Sequence, residues 1–234
     1  MQVAKRYVVV SALVFVAGLA KAADQTILGS ALTVRNKSTP DKRKIVGKAK
    51  ERGSTNTLVG DPTVNGGSLT VSAGGGTPTS QTFSLPQGTS GMTGRAFWSG
   101  TSTQGFKYKD PKGENGAVKK VLIKKSPNGN FAIRAVVSGK LGPISVLPPN
   151  PGTNGCVQLR LNGGDSYSVA FLAGDGIVIN DGAALYKHKK VTLEGSCGAT
   201  TTTTTTSTTT SSTSTTLYGS PSRAFLDRVF GILD

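Results

Sequence analysis

The chain has 234 residues, a formal net charge of +15, 31 Gly and 11 Pro, but only two Cys, two Met and one His. So much Gly and Pro predicts short strands joined by turns and argues against long helices. The scarcity of His, Cys and Met excludes most imidazole and soft-metal chemistry, and we predict neither a cofactor nor a metal site.

Residues 1–22 have the pattern of a cleavable secretory signal. Lys5 and Arg6 precede an uncharged apolar stretch over 7–19, and Ala20-Lys21-Ala22 supplies the small-x-small pattern that signal peptidase reads. The apolar stretch of about 13 residues is shorter than the ~20 that span a bilayer. We therefore predict cleavage after Ala22, a secreted, periplasmic or cell-surface location, and no transmembrane span in the mature chain. An uncut N-terminal anchor is the alternative.

Export has consequences for charge and for cysteine chemistry. Removing residues 1–22 leaves 24 basic and 12 acidic residues, an excess that favours solubility and attraction to polyanions. Cys156 and Cys197 are predicted to form a disulfide, because pairing is the usual outcome in an oxidising compartment.

Residues 23–199 are predicted to form one all-β sandwich. Runs rich in β-branched and aromatic residues alternate with Gly, Pro, Asn and Asp throughout this region. Asn128-Gly129 predicts a tight hairpin turn, and Asp175-Gly176 predicts a second one. The predicted strands are Leu32–Asn36, Lys44–Glu51, Ser68–Ala73, Gln81–Leu85, Phe106–Lys109, Val118–Lys125, Phe131–Val137, Cys156–Leu161, Tyr167–Leu172 and Leu185–Val191.

A weak internal similarity suggests that the sandwich consists of two related four-strand halves. The segment 65–85, with its Gly run between two strands, resembles 154–172, and a Lys-rich strand precedes each segment. The alternative is that short Gly-rich β sequences simply look alike.

Several turn and strand segments also carry a resemblance to a protein group. These segments are Phe106–Asp110, Lys124–Gly129, Pro148–Cys156 and Gly164–Tyr167. Together they resemble uncharacterised β-domain proteins that environmental bacteria secrete, some of which have Thr-rich tails. The resemblance covers about 27–197 and implies export and an all-β fold, with no activity attached.

The C-terminal part of the chain changes character twice. Residues 200–216 are all Ser or Thr, which predicts a disordered linker over 200–219. Residues 220–234 predict a short amphipathic helix with Phe225, Val229 and Ile232 on one face. A structural or assembly subunit that engages a partner or a membrane surface through this helix is therefore the alternative function.

No catalytic constellation stands out in the sequence, and we predict that the protein is not an enzyme. The single His188 lies in a Lys-rich strand without a recognisable nucleophile motif. Several aspartates precede Gly or Pro, which is typical of turns. A calcium site stays open as an alternative, although the spacing of a dedicated Ca²⁺ loop is missing. Its candidate ligands are Asp61, Asp110, Asp175 and Asp181, with Asp165 and Asn180. Trp98 is interpreted as a core residue, with a sugar-stacking platform as the alternative.

The lysines are the most informative feature of the sequence. In three strands they alternate with apolar residues, so that each strand has a basic side. If these strands are neighbours, they form a positive plate for anionic polysaccharide or a cell surface, without specific nucleic-acid recognition. The alternative is a solvated face that prevents aggregation, and the oligomeric state stays open. The candidate polyanion contacts are Lys44, Lys48, Lys50, Lys119, Lys120, Lys124, Lys125, Lys187, Lys189 and Lys190.

Overall fold

The structure, a computed structural model, describes residues 21–198. The predicted signal segment up to residue 20, the linker at 200–219 and the helix at 220–234 lie outside the described residues. Two short helical segments occur within the described part, a 3-10 turn (Pro40–Lys42) and a single-turn helix, α1 (Pro62–Asn65). Everything else that is regular there is strand: β1 (Asp24–Thr26), β2 (Gly29–Arg35), β3 (Lys44–Glu51), β4 (Gly67–Gly75), β5 (Thr79–Leu85), β6 (Trp98–Thr101), β7 (Gly105–Lys109), β8 (Val118–Lys125), β9 (Phe131–Ser138), β10 (Gly152–Leu161), β11 (Ser166–Phe171), β12 (Ile177–Asp181) and β13 (Leu185–Lys189).

The strands form two sheets, which confirms the prediction of an all-β fold. A five-stranded sheet has the order β1-β11-β10-β4-β5, and an eight-stranded sheet has the order β12-β13-β2-β3-β9-β8-β7-β6. Every pairing is antiparallel except the one between β1 and β11. Antiparallel neighbours need only short connections, which suits the turn-rich composition.

Strict alternation of side chains determines which face of each sheet is buried. In β9, Phe131, Ile133, Ala135 and Val137 are buried, and the residues between them are exposed or half-buried. The β8–β9 hairpin turns at Gly129, whose φ of 73° is strained for any residue with a Cβ. The Gly129 N–H donates to the Ser126 carbonyl at 3.0 Å and closes the turn.

The core lies where the inner faces of the two sheets meet. A Cβ on Gly47 of β3 would lie 2.8 Å from Cγ2 of Val157 in β10, so the missing side chain lets the sheets approach closely. The rings of Phe131 and Tyr167 pack across the same interface, 5.4 Å between centroids. We therefore describe the two sheets as a sandwich with one interior.

Trp98 belongs to this core, as predicted. Its side chain is 2% exposed and packs against Tyr108, 5.3 Å between centroids. The indole Nε1–H donates to the Leu85 carbonyl at 3.0 Å, which links β6 of one sheet to β5 of the other.

The predicted disulfide is confirmed. Cys156 in β10 is bonded to Cys197, 41 positions later, with the two Cα atoms 5.6 Å apart. The bridge attaches the segment that follows β13 to the five-stranded sheet. No helix within residues 21–198 is long and apolar enough to cross a membrane.

The structure corrects two points of the strand prediction. The ten predicted strands are all present with ends shifted by a few residues, but β1, β6 and β12 were not predicted. The Asp175-Gly176 hairpin is wrong, because β11 and β12 belong to different sheets. The Asp175 carboxylate instead accepts hydrogen bonds from the backbone N–H groups of Thr192 and Leu193, both at 3.0 Å, where the chain passes between the sheets.

Candidate functional site

The outer face of the eight-stranded sheet concentrates the basic residues of the protein. Six of its strands, β13, β2, β3, β9, β8 and β7, contain 13 basic residues and a single acidic one, Glu51. Glu51 lies in register with the buried Phe131 and so belongs to the inward-facing set of positions. Nearly all of this charge therefore faces away from the core.

Strand register aligns the cations in rows across the sheet. Lys48 of β3 lies directly opposite Arg134 of β9, and Lys109 of β7 lies directly opposite Lys120 of β8. Because neighbouring strands are about 4.8 Å apart, partners in such rows lie at regular intervals. One continuous row across six strands runs Lys189, Ala31, Lys48, Arg134, Leu122 and Lys107.

The first of two basic depressions on this face is centred on Lys48. This Lys48 depression has a volume of about 540 Å³, and β13, β2, β3 and β9 form its floor. The side chains between the cations are short or neutral, such as Ala31, Thr33 and Val46. Its lining contains no acidic residue and seven basic ones: Arg35, Lys44, Lys48, Arg134, Lys187, Lys189 and Lys190.

The second depression is centred on Lys109 and has a volume of about 940 Å³. A β-bulge between Val118 and Lys120 contributes to this Lys109 depression, because an extra residue in β8 shifts the alternation and Lys119 and Lys120 both line it. Its lining likewise contains no acidic residue, and its basic residues are Arg95, Lys107, Lys109, Lys119 and Lys120.

Charge crowding affects the ionisation of Lys109. Repulsion from Lys107 lowers the pKa of Lys109, and Lys120 and Arg95 act in the same direction. A cluster of like charges with no acidic residue in its lining raises its own electrostatic free energy. A bound polyanion would relieve that repulsion.

The structure brings most, but not all, of the predicted contact residues together. Lys50 and Lys124 are exposed and both lie in register with Ala132, outside the two depressions. Lys125 lies in register with buried Phe131 at the end of β8 and is half-buried. The seven that line a depression are Lys44, Lys48, Lys119, Lys120, Lys187, Lys189 and Lys190.

Sequence reasoning missed five basic residues of the same surface. Lys107 and Lys109 alternate with buried Phe106 and Tyr108, a signal that was present in the sequence. The other three, Arg35, Arg95 and Arg134, have no basic residue next to them in the chain. They join the other cations because the pairing of the strands places them in the two depressions.

The single histidine is a core residue. His188 is 0% exposed and faces the interior, opposite the basic side of β13. Its Nδ1 lies 3.1 Å from the Tyr186 hydroxyl, and its Nε2 contacts the backbone carbonyl of Asp175. The ring also packs against Phe171 at 5.7 Å. These contacts are structural, and no nucleophile is among them.

The acidic residues considered for calcium are dispersed among separate structural tasks. Asp61 accepts a hydrogen bond from the Thr63 N–H at 2.9 Å and caps α1, and Asp110 accepts three from residues 113–115. Asn180 donates to the Gly152 carbonyl at 2.9 Å. Within residues 21–198, no group of three or more His, Cys, Asp or Glu side chains could hold a metal ion.

No protein-family model, curated protein or solved structure matches the chain. The resemblance to secreted bacterial β-domain proteins therefore stays a prediction, and the basic surface is the feature of this chain that points to a function.

Proposed function

We propose that the protein is exported and, without catalysing a reaction, binds linear polyanions such as anionic polysaccharides at a cell surface. The outer face of the eight-stranded sheet is the binding surface. The observation that carries this proposal is the pair of neighbouring depressions, lined by twelve basic residues and no acidic one.

The shape of the surface favours an extended ligand over a small anion. The cations are distributed along rows that cross the strands, with Ala, Val, Thr and Leu between them. A linear polyanion lying across the strands contacts many of these cations at once and releases its bound counterions. Affinity is then the sum of many weak contacts and falls steeply with salt.

The composition of the five-stranded sheet indicates that solubility alone does not explain the lysines on the eight-stranded sheet. The strands β1, β4, β5, β10 and β11 contain only two charged residues, Asp24 and Arg160. Their outer face consists largely of Ser and Thr, among them Thr70 and Thr82, whose hydroxyl oxygens lie 2.8 Å apart. Because one broad face of the sandwich is hydrated through neutral hydroxyl groups, the lysines on the opposite face call for a further explanation.

The test is retention of the mature protein on immobilised heparin under a salt gradient. The variant K48Q/R134Q/K187Q removes three charges from the Lys48 depression, and K42Q/K140Q/R160Q removes three exposed charges that line neither depression. We expect the first variant to elute at clearly lower salt, with the slope of log affinity against log salt reduced by about 3. The control should elute close to the wild type.

Two results would overturn the proposal. One is elution of the wild type without retention at low salt. The other is an equal loss of retention in both variants, which would show that only net charge matters and that the face has no special role.

A further inference from the structure

A buried carboxylate holds the point where the predicted mature chain begins. Asp165 is 0% exposed. Its Oδ2 accepts hydrogen bonds from the Thr57 hydroxyl at 2.9 Å, the Val59 N–H at 2.7 Å and the Tyr167 hydroxyl at 3.2 Å. Its Oδ1 accepts from the backbone N–H of Ala23 at 2.9 Å.

Within residues 21–198, these four donors satisfy the carboxylate, and none of them carries a charge. Each of them is a neutral hydroxyl or amide while the chain is uncut. A buried ionised carboxylate is costly unless a charged partner compensates it. Of the four, only the Ala23 nitrogen becomes a cation through a simple change in the chain.

The fold holds the chain from Ala23 onwards. The Ser166 N–H donates to the Ala23 carbonyl at 2.9 Å, and β1 begins at the next residue and pairs with β11. Lys21 and Ala22 are exposed and precede the first strand. Ala23 is exposed as well, and the predicted cleavage after Ala22 falls one residue before the first paired strand.

We propose that Asp165 is the binding site for the α-ammonium group that cleavage after Ala22 creates on Ala23. A signal peptidase hydrolyses the Ala22–Ala23 amide with water, leaving a carboxylate on Ala22 and an amine on Ala23. That amine takes up a proton near neutral pH. The hydrogen bond to Oδ1 is kept, and it becomes an ion pair. The inference rests on the export part of the proposed function and is independent of polyanion binding.

Processing then stabilises the mature fold directly. In the precursor the same nitrogen is an amide and supplies a hydrogen bond without charge, whereas in the mature protein it neutralises Asp165. Removal of residues 1–22 is therefore a step that gives the buried Asp165 carboxylate a charged partner, in addition to releasing the protein.

The first experiment determines the N-terminus of the exported full-length product by intact mass, and the expected first residue is Ala23.

The second experiment compares the thermal unfolding of proteins that start at Ala23 and at Ala22, each with Asp165 and with Asp165→Asn. One extra residue displaces the ammonium group by about 3.8 Å. We expect it to lower Tm by about 5 °C in the Asp165 background and to have no effect in the Asn background. Tyr167→Phe removes a neutral donor and should preserve the difference between the two termini.

A second readout does not depend on folding of the Asp165→Asn protein. The α-amine paired with Asp165 should be acylated by an amine-reactive reagent at pH 7 about tenfold more slowly when the chain starts at Ala23 than when it starts at Ala22. A product that still begins at Met1 would refute cleavage after Ala22 and this inference together. A product that begins at Ala23, with equal Tm and equal acylation for both termini, would refute the inference and leave export standing.

Discussion

Two carboxyl groups meet at the end of β3. The Glu194 side chain hydrogen-bonds to Glu51, and the Thr26 hydroxyl donates to Glu194 Oε2 at 3.2 Å. Asn56 Nδ2 donates to Glu51 Oε2 at 3.1 Å. The hydrogen bond that protonated Glu194 donates to Glu51 raises the pKa of Glu194 above its ordinary 4.5, and burial and the charge of Glu51 act in the same direction. The folded protein therefore holds this proton more tightly than the unfolded chain does.

This pair gives stability a defined dependence on pH. Because the folded-state pKa is raised, stability falls as the pH rises through the range just above 4.5. Glu194→Gln removes the repulsion, so we expect a higher Tm at pH 7 and no gain at pH 3.5, where Glu194 is protonated and uncharged. Thermal unfolding at the two pH values measures this. A gain of equal size at both would show that repulsion between the carboxylates is not its source.

At the scale of the element, the disulfide is the main restraint on the chain after β13. Cys197 joins this segment to β10, and Thr192 and Leu193 hold it through Asp175. We expect the variant C156S/C197S to lose about 2–4 kcal/mol in the free energy of unfolding, because the bridge closes a long loop. The fold should be retained, since the sheets pair without this segment.

Urea unfolding measures that loss, and the wild type under a reducing agent is the matched comparison. Heparin retention should be unchanged, because Cys156 lies in the sheet opposite the basic surface. A loss of retention in the variant would mean that the basic surface depends on the bridge, contrary to this expectation.

Sequence patterns predict regular, alternating strands well, but they predict short or irregular strands and β-bulges poorly. Alternation in β3 and β8 is strong enough to define both ends of each strand. The missed strands lack such a pattern: β1 has three residues, β6 contains Gly100, and every residue of β12 is exposed. The bulge at Lys119 was equally invisible, because it depends on the pairing of β8 with β9.

At the scale of the whole molecule, the sequence does not show which strands lie next to each other in the sheets. Each of the two similar segments, together with its preceding strands, supplies one hairpin to each sheet: β2–β3 and β4–β5 from the first, β7–β8 and β10–β11 from the second. That placement is consistent with two related halves, which stays a prediction. β9 lies between β3 and β8, so the isolated Arg134 occupies the centre of the basic surface.

The crowded charges on this surface imply a conflict between stability and binding. Repulsion from Lys107 lowers the pKa of Lys109, so its charged form destabilises the fold at neutral pH, and this cost disappears only above its lowered pKa. We expect Lys109→Gln to raise Tm at low ionic strength and not in 0.5 M salt (about 4 Å of screening length). The same variant should elute earlier from heparin, and added heparin should raise its Tm less than that of the wild type.

Lys140→Gln is the matched control, since Lys140 is exposed and lines neither depression. It should change neither Tm nor heparin elution appreciably. Suppose that Lys109→Gln gained stability while its heparin elution matched that of the control. The repulsion among the lysines would then lower stability without contributing to ligand binding, and the basic surface would serve solubility alone. If stability and retention move in opposite directions, the sheet maintains the repulsion because an anionic partner relieves it.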